Sequence, residues 1–156
     1  MKFYRLSAAF YEQFSKYEEI LTNENRPYYV LLLELDNLTY AIPLRSNINH
    51  RYCFIADNSN EMNKGLDYSK AVVVTEPEHI DTNPVTIRQN EYKIYIKREF
   101  LIKRQFSSYV SRYKKEIKRR ADNPSLPVSS LCLYSSLKYF HNVLGLPDPE
   151  NNAGQL

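Results

Sequence analysis

Apolar and polar positions alternate in two different rhythms, and the change falls near residue 88. Before it, the apolar residues come in short runs bounded by turn formers, which is how strands read. Phe3 and Leu6 mark a first short strand within Lys2–Leu6. Ser7 then offers a helix N-cap, and Phe10, Phe14 and Tyr17 recur at helical spacing, predicting a helix over Ala8–Ile20. The strongest signal is a hairpin. Tyr28–Leu35 is nearly continuous in apolar residues, Asp36-Asn37 is a turn signal, and Leu38–Leu44 resumes as a second strand. Pro27 favours an extended backbone at the entry, and Pro43 predicts a strand end or sheet edge. Tyr52–Ala56 and Lys70–Thr75 predict two further strands, with polar loops over 57–65 and 76–84.

After residue 88 the period lengthens. Tyr92, Tyr95, Ile96, Phe100, Ile102, Phe106, Tyr109, Val110, Tyr113 and Ile117 predict one long amphipathic helix, closed by Asp122-Asn123-Pro124. A second helix is expected over Val128–Leu144 with Gly145 as its stop, and the tail 147–156 is expected to fray. Residues 1–156 then make one α+β domain. A compact antiparallel or mixed β core is braced by an N-terminal helix and two C-terminal helices.

Composition narrows the function. Apolar residues make up 43%, which excludes a disordered chain, and the 3 glycines form no phosphate-cradling loop of the Rossmann or P-loop kind. Cys53 and Cys132 lack the paired spacing of a zinc site, and no apolar run is long enough for a bilayer. A cytoplasmic protein without metal or cofactor is expected. The net charge of +3 hides an asymmetry. Residues 88–120 hold 12 Lys and Arg against 3 Asp and Glu, whereas residues 1–87 hold 8 against 12. A basic segment of this kind seeks an anionic partner, and nucleic acid suits a tyrosine-rich domain best.

The candidate chemistry follows the hairpin. Arg45, Ser46, Asn47, Asn49, His50 and Arg51 trail its second strand, and Arg26 opens its first. Arginine forks suit phosphate oxygens, Ser46 and Asn49 add neutral hydrogen bonds, and histidine moves protons near neutral pH. These are the ingredients for cleaving RNA without metal, where the ribose 2′-hydroxyl is the nucleophile. The products would be a 2′,3′-cyclic phosphate and a 5′-hydroxyl. A solvated loop with turn-forming Ser46 and Asn47 explains the same residues without chemistry. His79 and His141 show no partners in the sequence, and the tyrosines at 92, 95, 109 and 113 are expected to face the core.

The opening MKFYRLS, the stretch YVLLLELDNLTYAIPLRSN with His50 after it, KGLDYSKAVVV, and the long helix followed by CLYSSLKY resemble the ToxN/AbiQ family, closest to its CptN branch. The likeness spans residues 1 to about 144, and its most specific part is the proline-leucine-x-serine string after the LEL strand. The resemblance implies a metal-independent endoribonuclease toxin of a type III toxin–antitoxin or phage-defence system, with a twisted β core like that of the Kid/MazF toxins. It implies inhibition by a repetitive pseudoknot antitoxin RNA that the toxin trims, in a closed protein–RNA assembly. Cellular and phage mRNA would be the substrates, with no membrane and no protein antitoxin involved. Carried over, the family's serine falls on Ser46, its neighbouring threonine on Arg45, and its lysine before the hairpin on Arg26. The family's lysine shortly after the serine has no basic counterpart, since Ile48 and Asn49 stand there. His50 is the expected substitute for proton transfer, with Asn49 assisting.

The candidate catalytic set is therefore Arg26, Arg45, Ser46, Asn49 and His50. The candidate RNA contacts are Tyr29, Asn47, Arg51, Lys97, Arg104, Arg112, Lys115 and Arg119, with the basic helix gripping phosphates. A noncatalytic RNA-binding protein using the same helix, residues 91–120, is the alternative. A DNA-associated regulator is weakened by the lack of a helix-turn-helix pattern.

Overall fold

The computed structural model describes residues 1–22 and 28–148. It is an α+β fold built on an antiparallel sheet of seven strands. These are β1 (Phe3–Leu6), β2 (Tyr29–Leu35), β3 (Leu38–Arg45), β4 (Cys53–Asp57), β5 (Lys64–Asp67), β6 (Val72–Val74) and β7 (Ile80–Asp81). Their order is β4-β5-β3-β2-β1-β7, and β6 also pairs with β3.

The hairpin is the spine. β2 and β3 pair from Val30↔Pro43 to Leu35↔Leu38, and Asp36 and Asn37 both take left-handed φ (52° and 62°). Two successive positive φ values close a two-residue hairpin with the twist its strands require, and Asp and Asn tolerate them. Val30, Leu31, Leu33, Tyr40, Ala41 and Ile42 are buried, as expected for strands covered on both faces. Pro43 lies at neither an edge nor a strand end. It is buried inside β3 between the stretch paired with β6 (Thr39–Ala41) and the stretch paired with β5 (Leu44, Arg45). A residue without an N–H fits where one ladder stops and the next begins.

Helix α1 (Ala8–Phe14) is capped by the Ser7 side chain, which accepts from the Phe10 N–H at 3.3 Å. It ends well before the expected Ile20. The Glu19 N–H donates to the Tyr139 hydroxyl and the Glu19 carbonyl accepts from Ser136 Oγ, so its backbone groups serve distant side chains rather than a helical ladder. The expected long helix is two: α2 (Gln89–Lys97) and α3 (Glu99–Asp122) meet at Arg98, whose φ of −105° and ψ of 11° leave the helical region. Tyr95 on α2 packs on Phe3 and Phe54, while Phe106 on α3 packs on Tyr40, so the two parts follow different strands of the sheet.

The expected C-terminal helix is also broken, into α4 (Ser130–Leu133), a 3-10 turn (Ser136–Phe140) and α5 (His141–Leu144). Ser135 breaks it: its Oγ accepts from the Leu137 N–H and from the buried Tyr109 hydroxyl at 2.7 Å. Gly145 does end α5, with φ of 65°. Inside the loop predicted over 57–65, β5 begins at Lys64. Gly65 there lies so close under β4 that a Cβ would sit 1.8 Å from the Phe54 carbonyl oxygen. Among the described residues no helix is long and apolar enough to cross a membrane.

Candidate active corner beside a basic helix

The polar run after β3 is interrupted once, at Ile48, and that interruption fixes the rest. Ile48 is buried, its N–H donates to the Asn63 carbonyl and its own carbonyl accepts from Asn63 Nδ2, both at 3.1 Å. Ser46 and Asn47 form the exposed turn before this anchor, Asn47 with φ of 60°, and exposed Asn49 follows it. The loop is thus pinned at its middle and displays its polar groups on either side.

Arg45 and His50 converge on a residue the sequence did not single out. Asp67, at the end of β5, has no solvent exposure. Arg45 Nη1 lies 2.6 Å from its Oδ2, and His50 Nε2 lies 3.3 Å from each carboxylate oxygen. Ser69 donates to Oδ1 twice, from its backbone N–H at 3.0 Å and from Oγ at 2.6 Å. Burial works to raise the Asp67 carboxyl, but the bonds from His50, Ser69 and Arg45 prevail and hold it below its usual value. A buried carboxylate with donors on both oxygens is a satisfied one.

The imidazole tautomer follows from its neighbours. The Tyr52 N–H can only donate, and it lies 3.2 Å from His50 Nδ1. Neutral His50 therefore carries its proton on Nε2 and gives it to Asp67. Tyr52 continues the corner outward. Arg51 lies over its ring at 5.3 Å, with Nη2 3.5 Å from its hydroxyl, and the ring packs on Tyr109 of α3 at 5.8 Å between centroids. A hydrogen bond with Ser130 lowers the Tyr52 phenol below its ordinary value against the opposing effect of burial, and Arg51 and Arg112 lower it further.

Arg112 thus ties the basic helix to the corner. Gln105, Tyr109, Arg112 and Glu116 form one row along α3. Gln105 accepts from the Tyr68 hydroxyl, Tyr109 packs on Tyr52, Arg112 acts on the Tyr52 phenol through its charge, and Glu116 accepts from the Ser129 N–H. Helical geometry sets Arg104, Arg112, Lys115 and Arg119 within about 80° of the α3 circumference, a stripe about 22 Å long. All four are exposed. Of their basic neighbours, Lys103 pairs with Glu99, Lys114 with Asp36 and Arg120 with the Leu126 carbonyl, while Lys118 is exposed like the four.

The remaining sequence candidates separate. Arg26 lies outside the described residues. Tyr29 holds Arg5, whose guanidinium sits 5.2 Å from its ring on β1, the far side of β2 from β3. Lys97 is exposed at the end of α2, across the Arg98 break from the stripe. The histidines expected to lack partners have them. His79 is buried between Gln13 and Thr75, and His141 accepts from the Tyr113 hydroxyl while its Nδ1 donates to the Pro147 carbonyl, each at 2.7 Å. Both are structural. Tyr95, Tyr109 and Tyr113 face the core, but Tyr92 is 40% exposed.

Asp67, Ser69, Tyr52 and Ser130 are the residues that pattern reading missed. The one signal for Asp67 was an acid inside the apolar string Leu66-Asp67-Tyr68, where only a paired carboxylate is tolerated. Compared with known proteins, this chain matches no protein-family model, no curated protein and no solved structure.

Proposed function

We propose that the chain is a metal-independent endoribonuclease acting at the Arg45–His50–Tyr52 corner. One observation carries the reading: buried Asp67 orients His50 at the foot of a corner rimmed by Arg45 and Arg51, with the charge of Arg112 felt at Tyr52. A carboxylate that receives one ring nitrogen fixes the orientation and tautomer of the imidazole. In the proposed reaction, His50 Nδ1 takes the 2′-hydroxyl proton, exchanging its bond from the Tyr52 N–H for a full proton. The 2′-oxygen bonds to phosphorus, and the bond to the 5′-oxygen breaks as the Tyr52 phenol returns a proton to it. The arginines carry the added charge on the phosphoryl oxygens. A 2′,3′-cyclic phosphate and a 5′-hydroxyl result. Ser46 and Asn49 sit on the same exposed loop.

The resemblance extends this proposal to a cytoplasmic type III toxin with a Kid/MazF-like core, held inactive by a repetitive pseudoknot RNA that it also processes. The test is direct. Purified protein is incubated with a mixed RNA pool in EDTA, and the new ends are sequenced. Cleavage leaving 5′-hydroxyls supports the reading, and intact RNA overturns it. His50→Ala and Ser46→Ala should restore growth to cells that the wild type arrests.

A second reading, RNA binding without cleavage, is favoured by the bond from the Tyr52 N–H, which occupies the lone pair a base would need. It predicts tight RNA binding with no new ends, and growth inhibition that survives His50→Ala.

A further inference from the structure

The most exposed large apolar residue among the described ones is Phe100, at 77%. It opens the first turn of α3, and its ring touches neither the sheet nor the other helices in any ring contact; Arg104, one turn on, lies over it at 5.8 Å. Ile96 and Tyr92, each 40% exposed, precede it at four-residue steps across the Arg98 break. This apolar shoulder is set among exposed cations: Lys93, Lys97, Arg98 and Arg104. The nearest acid, Glu99, is held by Lys103 at 2.6 Å.

Burying an aromatic gains free energy, so an exposed one among cations calls for an occupant with matching chemistry. A second copy of the chain would bring the same cations against these and be repelled. A single-stranded nucleic acid fits both features, because each nucleotide carries a flat apolar face and a negative charge. An arginine already over the ring extends the platform, since guanidinium planes stack on bases as aromatic rings do.

We propose that the Phe100–Arg104 shoulder is a binding site for single-stranded RNA, separate from the corner at His50. Phe100 stacks an unpaired base, and Lys97, Arg98 and Arg104 take the flanking phosphates. Phe100 stands about 18 Å along α3 from Arg112. A strand held at the shoulder therefore runs down the basic stripe into the corner. That last step rests on the nuclease reading; the binding itself does not.

The test uses a fluorescent 2′-O-methyl oligouridine, which lacks the nucleophile and cannot be cleaved, with anisotropy as the readout. Phe100→Ala should weaken binding by about 5- to 100-fold, the range for loss of one base–aromatic stack. Phe100→Tyr should bind as the wild type does. Equal affinity for wild type and Phe100→Ala overturns the proposal. So does a self-association seen by sedimentation that Phe100→Ala abolishes without changing RNA affinity. If Phe100→Ala weakens binding while RNA stays intact in EDTA, the shoulder stands and the nuclease reading falls. If RNA is cleaved but Phe100→Ala binds normally, the reverse holds.

Discussion

The backbone N–H of Tyr52 donates to His50 Nδ1 at 3.2 Å, two residues away, and so decides which imidazole nitrogen carries the proton. The same bond holds the ring edge toward Asp67, where Nε2 meets both oxygens. Neutral His50 should therefore appear as the Nε2–H form in long-range nitrogen–proton NMR spectra. Asp67→Asn should loosen that preference, because the amide competes as a donor. A dominant Nδ1–H form in the wild type would contradict the geometry and with it the proposed base.

Asp67 also predicts an acid limb of stability. Its folded pKa lies below the ordinary 3.8, so its contribution is present in full above that value and is lost as pH falls through the folded one. Urea midpoints of wild type and Asp67→Asn should converge as pH drops below 3.8. At neutral pH, Asp67→Ala should cost about 3 kcal/mol, the low end for breaking a buried pair, since Arg45 can regain water. Equal midpoints at neutral pH would show that the carboxylate does not hold the corner.

Tyr52 should ionise before the buried tyrosines. Its phenol is lowered, whereas burial pushes Tyr40 up to about 12 and raises Tyr68, Tyr95, Tyr109 and Tyr113 further. A tyrosinate absorbance step below pH 10 should vanish in Tyr52→Phe and move upward in Ser130→Ala. If the step survives Tyr52→Phe, the phenol is not the group that the corner activates.

His141 sets a second pH dependence with the opposite residue chemistry. Burial lowers it below its ordinary 6.5, so the native state binds fewer protons than the unfolded chain as pH falls past that value. Stability should decline on acidification from 6.5 down to the folded value, because a protonated ring can no longer accept from the Tyr113 hydroxyl. His141→Gln, with thermal melts across that window, should flatten this slope.

Gly65→Ala should destabilise by about 3 kcal/mol, because the new Cβ strikes backbone that no rotamer can move. The loss is expected in thermal melts, together with a weakened β4–β5 pair by amide exchange.

Much of the frame was legible. The β2–β3 hairpin, its Asp36-Asn37 turn and the basic face of α3 follow from local pattern, because each is specified by neighbours in sequence. What stayed hidden depends on distant partners. Glu19 leaves the helix for Tyr139 and Ser136, and Ser135 breaks a helix to serve Tyr109. β5 was invisible because its KGLD sequence has one strand-forming residue and is paired on both sides. At the candidate site, Arg45 and His50 were readable as polar residues after a strand, but the carboxylate that joins them stands 17 residues beyond His50.

Pro43 and the pairing around it have a consequence for how such a molecule can be altered. β3 and β6 are zipped to each other at Ala41↔Val72 and β3 stays paired with β2 through Pro43, so the chain from Leu44 to Ala71 is a single excursion that leaves and returns at neighbouring points. Arg45, His50, Tyr52, Asp67 and Ser69 all belong to it. Phe54, Leu66 and Tyr68 tie the excursion to the core, so it is its exposed turns, Ser46-Asn47 and Ser59–Glu61, that can be lengthened, trimmed or exchanged while the parent strands keep their register. New chemistry, or new partners, could be installed at those turns without redesigning the sheet that carries them.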